Sequence, residues 1–171
     1  MEHLHRNYDF NNLSVTYARG EIKEDHLKDV SFDNYIELNR YLESIERKKE
    51  KRSLYPVWRG VRDLSRENLI KTVFQDEFVT PCVAGRKLVV VDEVGEVYPC
   101  EILGKSMGNL ADYNYNIKEL LSEKANDDLV NWIVDTKCKC SFECALTANV
   151  VWNMSSYPKL VKATLKNIGR Q

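Results

Sequence analysis

The sequence predicts a mixed α/β (α+β) fold: a strand–helix segment followed by a small β-hairpin with helices. Three observations predict it. Apolar residues recur at helical spacing in both halves, the strand-like runs are few and short, and all five cysteines lie between Cys82 and Cys144. The chain therefore divides by composition into a cysteine-free segment over 1–80, a cysteine-bearing segment over 81–156 and a terminal helix over 157–171.

Leu13-Ser14-Val15-Thr16-Tyr17 alternates apolar and hydroxyl residues, the period of a strand, and stops at Ala18-Arg19-Gly20. After a charged loop, Ser31 is the expected N-cap of a helix with Asp33 in its first turn, where a negative charge meets the helix dipole. Tyr35, Leu38, Leu42 and Ile45 fall on one face of that helix, which runs out in the charged segment from Glu46 to Arg52. A second helical region spans roughly 57–78, with Leu64, Leu69, Val73 and Phe74 as its apolar positions and Ser65 as the cap of a new helix inside it. Thr80-Pro81 stops it, because the residue before proline avoids helical geometry.

Leu88-Val89-Val90-Val91 reads as a strand by its β-branched content, Asp92 to Gly95 as a turn, and Glu96-Val97-Tyr98 as the returning strand. A loop holds Gly104, Gly108 and Asn109. Asn116 is the expected cap of a short helix with Ile117, Leu120 and Leu121; Leu129, Trp132 and Ile133 mark another, ending before Cys138. Tyr157-Pro158 opens the last, through Leu160, Val161, Leu165 and Ile168.

The chain has 171 residues, 43% of them apolar, enough to bury a core. Its net charge of −1 lacks the basic excess of a general nucleic-acid binder. No apolar stretch reaches transmembrane length, and Met1-Glu2-His3-Leu4-His5-Arg6 lacks the apolar core of a signal peptide. A cytoplasmic protein without nucleic-acid or membrane partners is expected. In a reducing compartment an odd number of clustered cysteines points to metal or cluster ligation rather than disulfides.

The cysteines read C-x17-C, a long gap, then C-x-C-x3-C: Cys82 and Cys100, then Cys138, Cys140 and Cys144. A hairpin between Cys82 and Cys100 brings their sulfurs together; Gly85 and Gly95 free the backbone and Pro99 stiffens it. Cys140 and Cys144 are one helical turn apart, on one face if the stretch is helical, while Cys138 is a ligand, a substitute ligand or a free buried thiol. A four-thiolate zinc site and an iron–sulfur cluster are equally compatible with this spacing.

The run from Cys82 to Asn153 resembles the SPASM or twitch auxiliary-cluster region of radical S-adenosylmethionine enzymes. The matching residues are Cys82-x12-Gly95-x4-Cys100, with Ala84-Gly85, Tyr98-Pro99-Cys100-Glu101 and Gly108-Asn109-Leu110, and the closing Cys138 to Cys144. The full SPASM pattern has seven cysteines and two clusters; five cysteines are closer to the twitch form with one 4Fe-4S cluster. The resemblance implies Cys82, Cys100, Cys140 and Cys144 as ligands, with Cys138 the alternative to Cys140. Ser14 to Gly20 and Val30 to Tyr35 similarly resemble one of the last strand–helix units of the family's partial TIM barrel.

The family's C-x3-C-x2-C motif, which binds the cluster that cleaves S-adenosylmethionine, is absent; after Cys140-x3-Cys144 the next required position is Thr147. By this resemblance the chain looks like the C-terminal half of an enzyme, a fragment, truncated product or split subunit. S-adenosylmethionine would enter only through a missing N-terminal part. The expected partners are that missing barrel half or a peptide or protein substrate. The implied role is electron transfer or substrate positioning; a zinc-stapled, non-enzymatic interaction module is the alternative.

Other residues carry plainer expectations. Arg19, His3, His5 and His26 read as solvated surface groups, and Lys159, Lys162, Lys166 and Arg170 as a solvated face of the last helix. Trp132 and Trp152 are expected to pack around the centre and exclude water. No phosphate-binding glycine loop and no serine–histidine–acid arrangement stands out.

Overall fold

The computed structural model describes residues 7, 15–16, 18, 23–24, 26, 29–46 and 54–168, the side chains of Ile45 and Glu46 excepted. The chain divides into two compact units, Met1–Tyr55 and Pro56–Gln171. The boundary expected near residue 80 falls inside the second unit.

Unit 1 contains helix α1 (Phe32–Glu46). Ser31 caps it, its hydroxyl accepting from the Asn34 amide at 3.2 Å. Tyr35 and Leu42 are buried, as the apolar stripe requires, and buried Asn39 donates to the Tyr35 carbonyl at 2.7 Å. The expected strand over 13–17 falls mostly outside the described residues, as does the charged segment over 47–52; Val15 and Thr16 have no regular secondary structure.

Unit 2 begins with α2 (Tyr55–Phe74). It is one helix, not two: Ser65 donates its hydroxyl to the Val61 carbonyl at 2.8 Å, the back-bond of a mid-helix serine, and caps nothing. The helix also ends earlier than Pro81 requires. Asp76 turns left-handed (φ 55°), and the Glu77 amide reaches back to the Lys71 carbonyl at 3.0 Å.

The predicted hairpin is present as β1 (Val90–Val91) and β2 (Glu96–Tyr98), in register Val90–Tyr98 and Val91–Val97. Asp92 ties its turn, accepting from the Val94 and Glu96 amides at 3.0 and 2.9 Å, and Gly95 supplies the positive φ of 85°. A third strand, β3 (Gly108–Asn109), lies where the sequence reads as loop; it pairs antiparallel with β2 and gives the order β1-β2-β3. The helices α3 (Ile117–Leu121), α4 (Lys124–Asp135), α5 (Glu143–Trp152) and α6 (Tyr157–Ile168) follow. Asn116 precedes α3 without a side-chain bond to its backbone; its amide instead points to Glu119 at 3.4 Å.

Among the described residues, three apolar clusters organise unit 2. Val97, Met107 and Leu120 join the sheet to α3. Buried Asn126 locks that corner by donating to the Met107 and Leu120 carbonyls at 2.9 and 2.7 Å. Val61, Leu64 and Val150 join α2 to α5, with Leu160 of α6 against them. The third cluster holds the cysteines. Among the described residues no helix is long and apolar enough to cross a membrane.

Candidate metal centre

Three segments converge on the third cluster. Cys82 opens a tight loop in which the Arg86 and Lys87 amides bond the Val83 carbonyl at 3.1 and 2.9 Å, and the Gly85 amide bonds the Leu88 carbonyl at 2.8 Å. Gly85 is required twice over: its φ is 78°, and a Cβ there would come within 2.8 Å of Val130 on α4. The hairpin then returns the chain through fully buried Pro99 to Cys100. Cys82 and Cys100 are buried side by side with Ala84, Ile133, Phe142 and Ala145.

The third segment is the link between α4 and α5. Helix α4 ends in a Schellman motif: Lys137 turns left-handed (φ 51°), its amide bonds the Val134 carbonyl at 3.0 Å, and the Cys138 amide bonds the Ile133 carbonyl at 3.1 Å. This fixes the Cys138 backbone onto the end of the helix. Both Cys138 and Cys140 are half-buried and pack against the cluster that holds Cys82 and Cys100.

Cys144 is different. Helix α5 starts only at Glu143, with Phe142 as its N-cap residue, so Cys140 precedes the helix and the two are not stacked on one helical face. Cys144 is exposed and stands outside the cluster. The four cysteines gathered are thus Cys82, Cys100, Cys138 and Cys140; the set implied by resemblance has Cys144 in place of Cys138. None of the five is in a disulfide.

Electrostatics agree with that grouping. Burial pushes the Cys140 thiol up to about 11, the Phe142 amide pulls it back, and the Cys82, Cys100 and Cys138 sulfurs raise it further. Burial likewise raises Cys138, as do Cys82 and Cys100. Burial raises Cys82 too, followed by the opposing Ala84 amide, the adjacent Cys100 sulfur, and the lowering effects of Asn149 and Arg86. Cys140 accepts from the amide two residues ahead, Phe142, at 3.4 Å, and the Ala84 amide lowers Cys82 in the same sense. Such N–H donors favour the thiolate. Asn149 of α5 adds a cross-link, its side-chain oxygen accepting from the buried Val83 amide at 2.9 Å. Sequence reasoning missed Asn149; its polar side chain within an apolar helical run, Ala145-Leu146-Thr147-Ala148-Asn149-Val150-Val151, was the available signal.

Among the described residues, no group of three or more His, Cys, Asp or Glu side chains is placed to hold a metal ion. Cys82, Cys100, Cys138 and Cys140 share one apolar cluster without forming such a group; thiols are the donor type of zinc and iron–sulfur sites.

The two tryptophans correct an expectation. Trp132 and Trp152 are 40% and 56% exposed and do not enclose the cysteines. Each lies on the outer side of its helix under a lysine, Lys105 at 4.2 Å and Lys87 at 5.2 Å from the ring centres, so cation–π contact satisfies them at the surface. Phe142 and Ile133 fill the interior instead. His26 is exposed, as expected, 3.5 Å from Glu24; His3, His5, Arg19 and Arg170 lie outside the described residues. No protein family, curated protein or solved structure gives a match to this chain.

Proposed function

We propose that unit 2 is an iron–sulfur module of the SPASM or twitch kind, holding one 4Fe-4S cluster through Cys82, Cys100, Cys138 and Cys140 and serving electron transfer within, or to, a radical S-adenosylmethionine enzyme. The observation that carries this reading is the shared cluster of those four cysteines, with Cys144 left outside it. A 4Fe-4S cluster supplies one-electron chemistry at a potential tuned by hydrogen bonds to sulfur and by burial.

The residues present serve such a centre in defined ways. The Ala84 and Phe142 amides stabilise negative charge on Cys82 and Cys140. Ile133, Phe142 and Ala145 keep water from the inner side, while half-buried Cys138 and Cys140 leave the outer edge near solvent. Four protein thiolates occupy every iron, which favours electron transfer or structural support over direct substrate binding. On the same reading, the segment before unit 2 belongs to the last strand–helix units of a partial TIM barrel, and an enzymatic partner supplies the site that cleaves S-adenosylmethionine.

The test is anaerobic reconstitution followed by metal and sulfide analysis. About four iron and four sulfide per chain are expected, with broad visible absorbance. Stoichiometric zinc without iron uptake makes this a zinc-stapled interaction module, and retention of no metal overturns the centre altogether.

A further inference from the structure

The link that carries Cys138 and Cys140 alternates cations with thiols, Lys137-Cys138-Lys139-Cys140. The two thiols pack against the cysteine cluster. The two cations instead meet residues 76–80, the strap that leads from the end of α2 to Cys82. Lys139 donates to the Asp76 carboxylate at 2.6 Å and also to the Asp76 carbonyl. Lys137 stands over the Phe78 ring, 6.0 Å from its centre. Two residues on, the Thr80 hydroxyl accepts from the Asn153 side chain at 2.6 Å. Alternate residues of the strap, Asp76, Phe78 and Thr80, are thus each met by a side chain distant in sequence.

Residues 76–79 and 138–142 have no regular secondary structure, so neither a helix nor a ladder sets one segment against the other. The link is tied at its ends, where the Cys138 amide bonds the Ile133 carbonyl and the Phe142 amide bonds the Cys140 sulfur. Between those ties Lys139 joins it to the strap. The acceptor is itself fixed: Asp76 is left-handed (φ 55°), and the Glu77 amide after it bonds the Lys71 carbonyl of α2 at 3.0 Å. The Asp76 side chain is 91% exposed, and ion pairs at such a surface add little to global stability and weaken with salt. The effect of this pair is therefore on local position. Lys137 adds a weaker contact, since its distance from Phe78 is at the limit of cation–π reach.

We propose that Lys139 is a positioning residue: by gripping Asp76 it holds the Cys138–Cys140 link to the strap and so sets those two thiols relative to Cys82. The consequence for a metal rests on the ligand set proposed above; the constraint on the two thiols does not. A lysine that merely finds a carboxylate at the surface would leave both thiols as they are. A lysine that acts on them through its charge alone would favour their thiolates, so that removing it would slow their reactions. A positioning lysine has the opposite sign, because its removal frees the link and opens both thiols to reagent.

The experiment is alkylation of the reduced, metal-free full chain with iodoacetamide, the rate at each cysteine read by mass spectrometry. Lys139→Met should raise the rates at Cys138 and Cys140 about twofold to fivefold, the range an exposed ion pair supplies. Cys144, already exposed, should keep its rate. Lys139→Arg keeps the charge and the donors and should restore the wild-type rates. Added salt should raise the wild-type rates at the same two cysteines and leave those of Lys139→Met unmoved. Unchanged or slower alkylation of Cys138 and Cys140 in Lys139→Met overturns the proposal. So does an equal rise at all five cysteines, which marks general loosening, or a failure of arginine to rescue. No metal enters the measurement, so its failure is distinct from failure of the iron–sulfur reading.

Discussion

The cysteine end of unit 2 and its α2–α6 end are built on opposite plans. At the cysteine end the chemically capable groups point inward, held by turns: the loop after Cys82, the hairpin before Cys100, the Schellman motif before Cys138. At the α2–α6 end they point outward, set by helical periodicity on a helix whose buried side is complete without them. Helix α5 joins the two, with Ala145 in the cysteine cluster and Val150 against α2. The difference teaches how each end depends on its residues. A site made by turns fails when a backbone hydrogen bond is lost, whereas a helical face loses side-chain contacts but keeps its shape.

The largest effect is expected from Asn149, which couples α5 to the loop carrying Cys82. Asn149→Ala leaves the buried Val83 amide without its acceptor, a cost of about 1–3 kcal/mol in unfolding free energy. Denaturant unfolding should show that loss, and reconstituted iron should fall with it. Wild-type stability and iron content together would break the contrast between the two ends.

A smaller effect separates them by pH. In the metal-free chain the Cys140 thiol rises from its ordinary value of 9.0 to about 11, chiefly through burial. The folded chain then holds this proton more tightly than the unfolded one, so stability falls as pH climbs from about 9 to about 11. Thermal melts of the metal-free protein should follow that slope, and Cys140→Ala should make it shallower, the raised Cys82 and Cys138 thiols carrying the rest. A slope of the opposite sign, or one unchanged in the variant, would contradict the burial of Cys140.

Much of this fold is legible in the sequence, for identifiable reasons. Ser31 and the Tyr35–Leu42 stripe predict α1, and the β-branched run with the Asp92–Gly95 turn predicts the hairpin. The third strand is hidden because Gly108 and Asn109 have no strand propensity; only pairing with Glu96 and Val97 makes them one. Ser65 misleads because a serine hydroxyl serves a helix interior and a cap alike. The gathering of cysteines is legible, but their partition is not. C-x-C-x3-C fits a helix through Cys140 and Cys144 as well as a helix beginning after Cys140. Helix α5 starts at Glu143 without a side-chain cap to announce it, and the turn that seats Cys138 at the end of α4 rests on a left-handed lysine, Lys137, where a glycine would have been a recognisable stop.

The central claim is the partition of the cysteines, and iron content measures it most directly. Cys138→Ala and Cys144→Ala should be reconstituted side by side under anaerobic conditions and analysed for iron and sulfide per folded chain. Cys144→Ala is expected to keep its iron, because that thiol is exposed and outside the cluster, and Cys138→Ala to lose most of it. Loss of iron in Cys144→Ala with retention in Cys138→Ala would contradict the account and restore Cys144 to the ligand set.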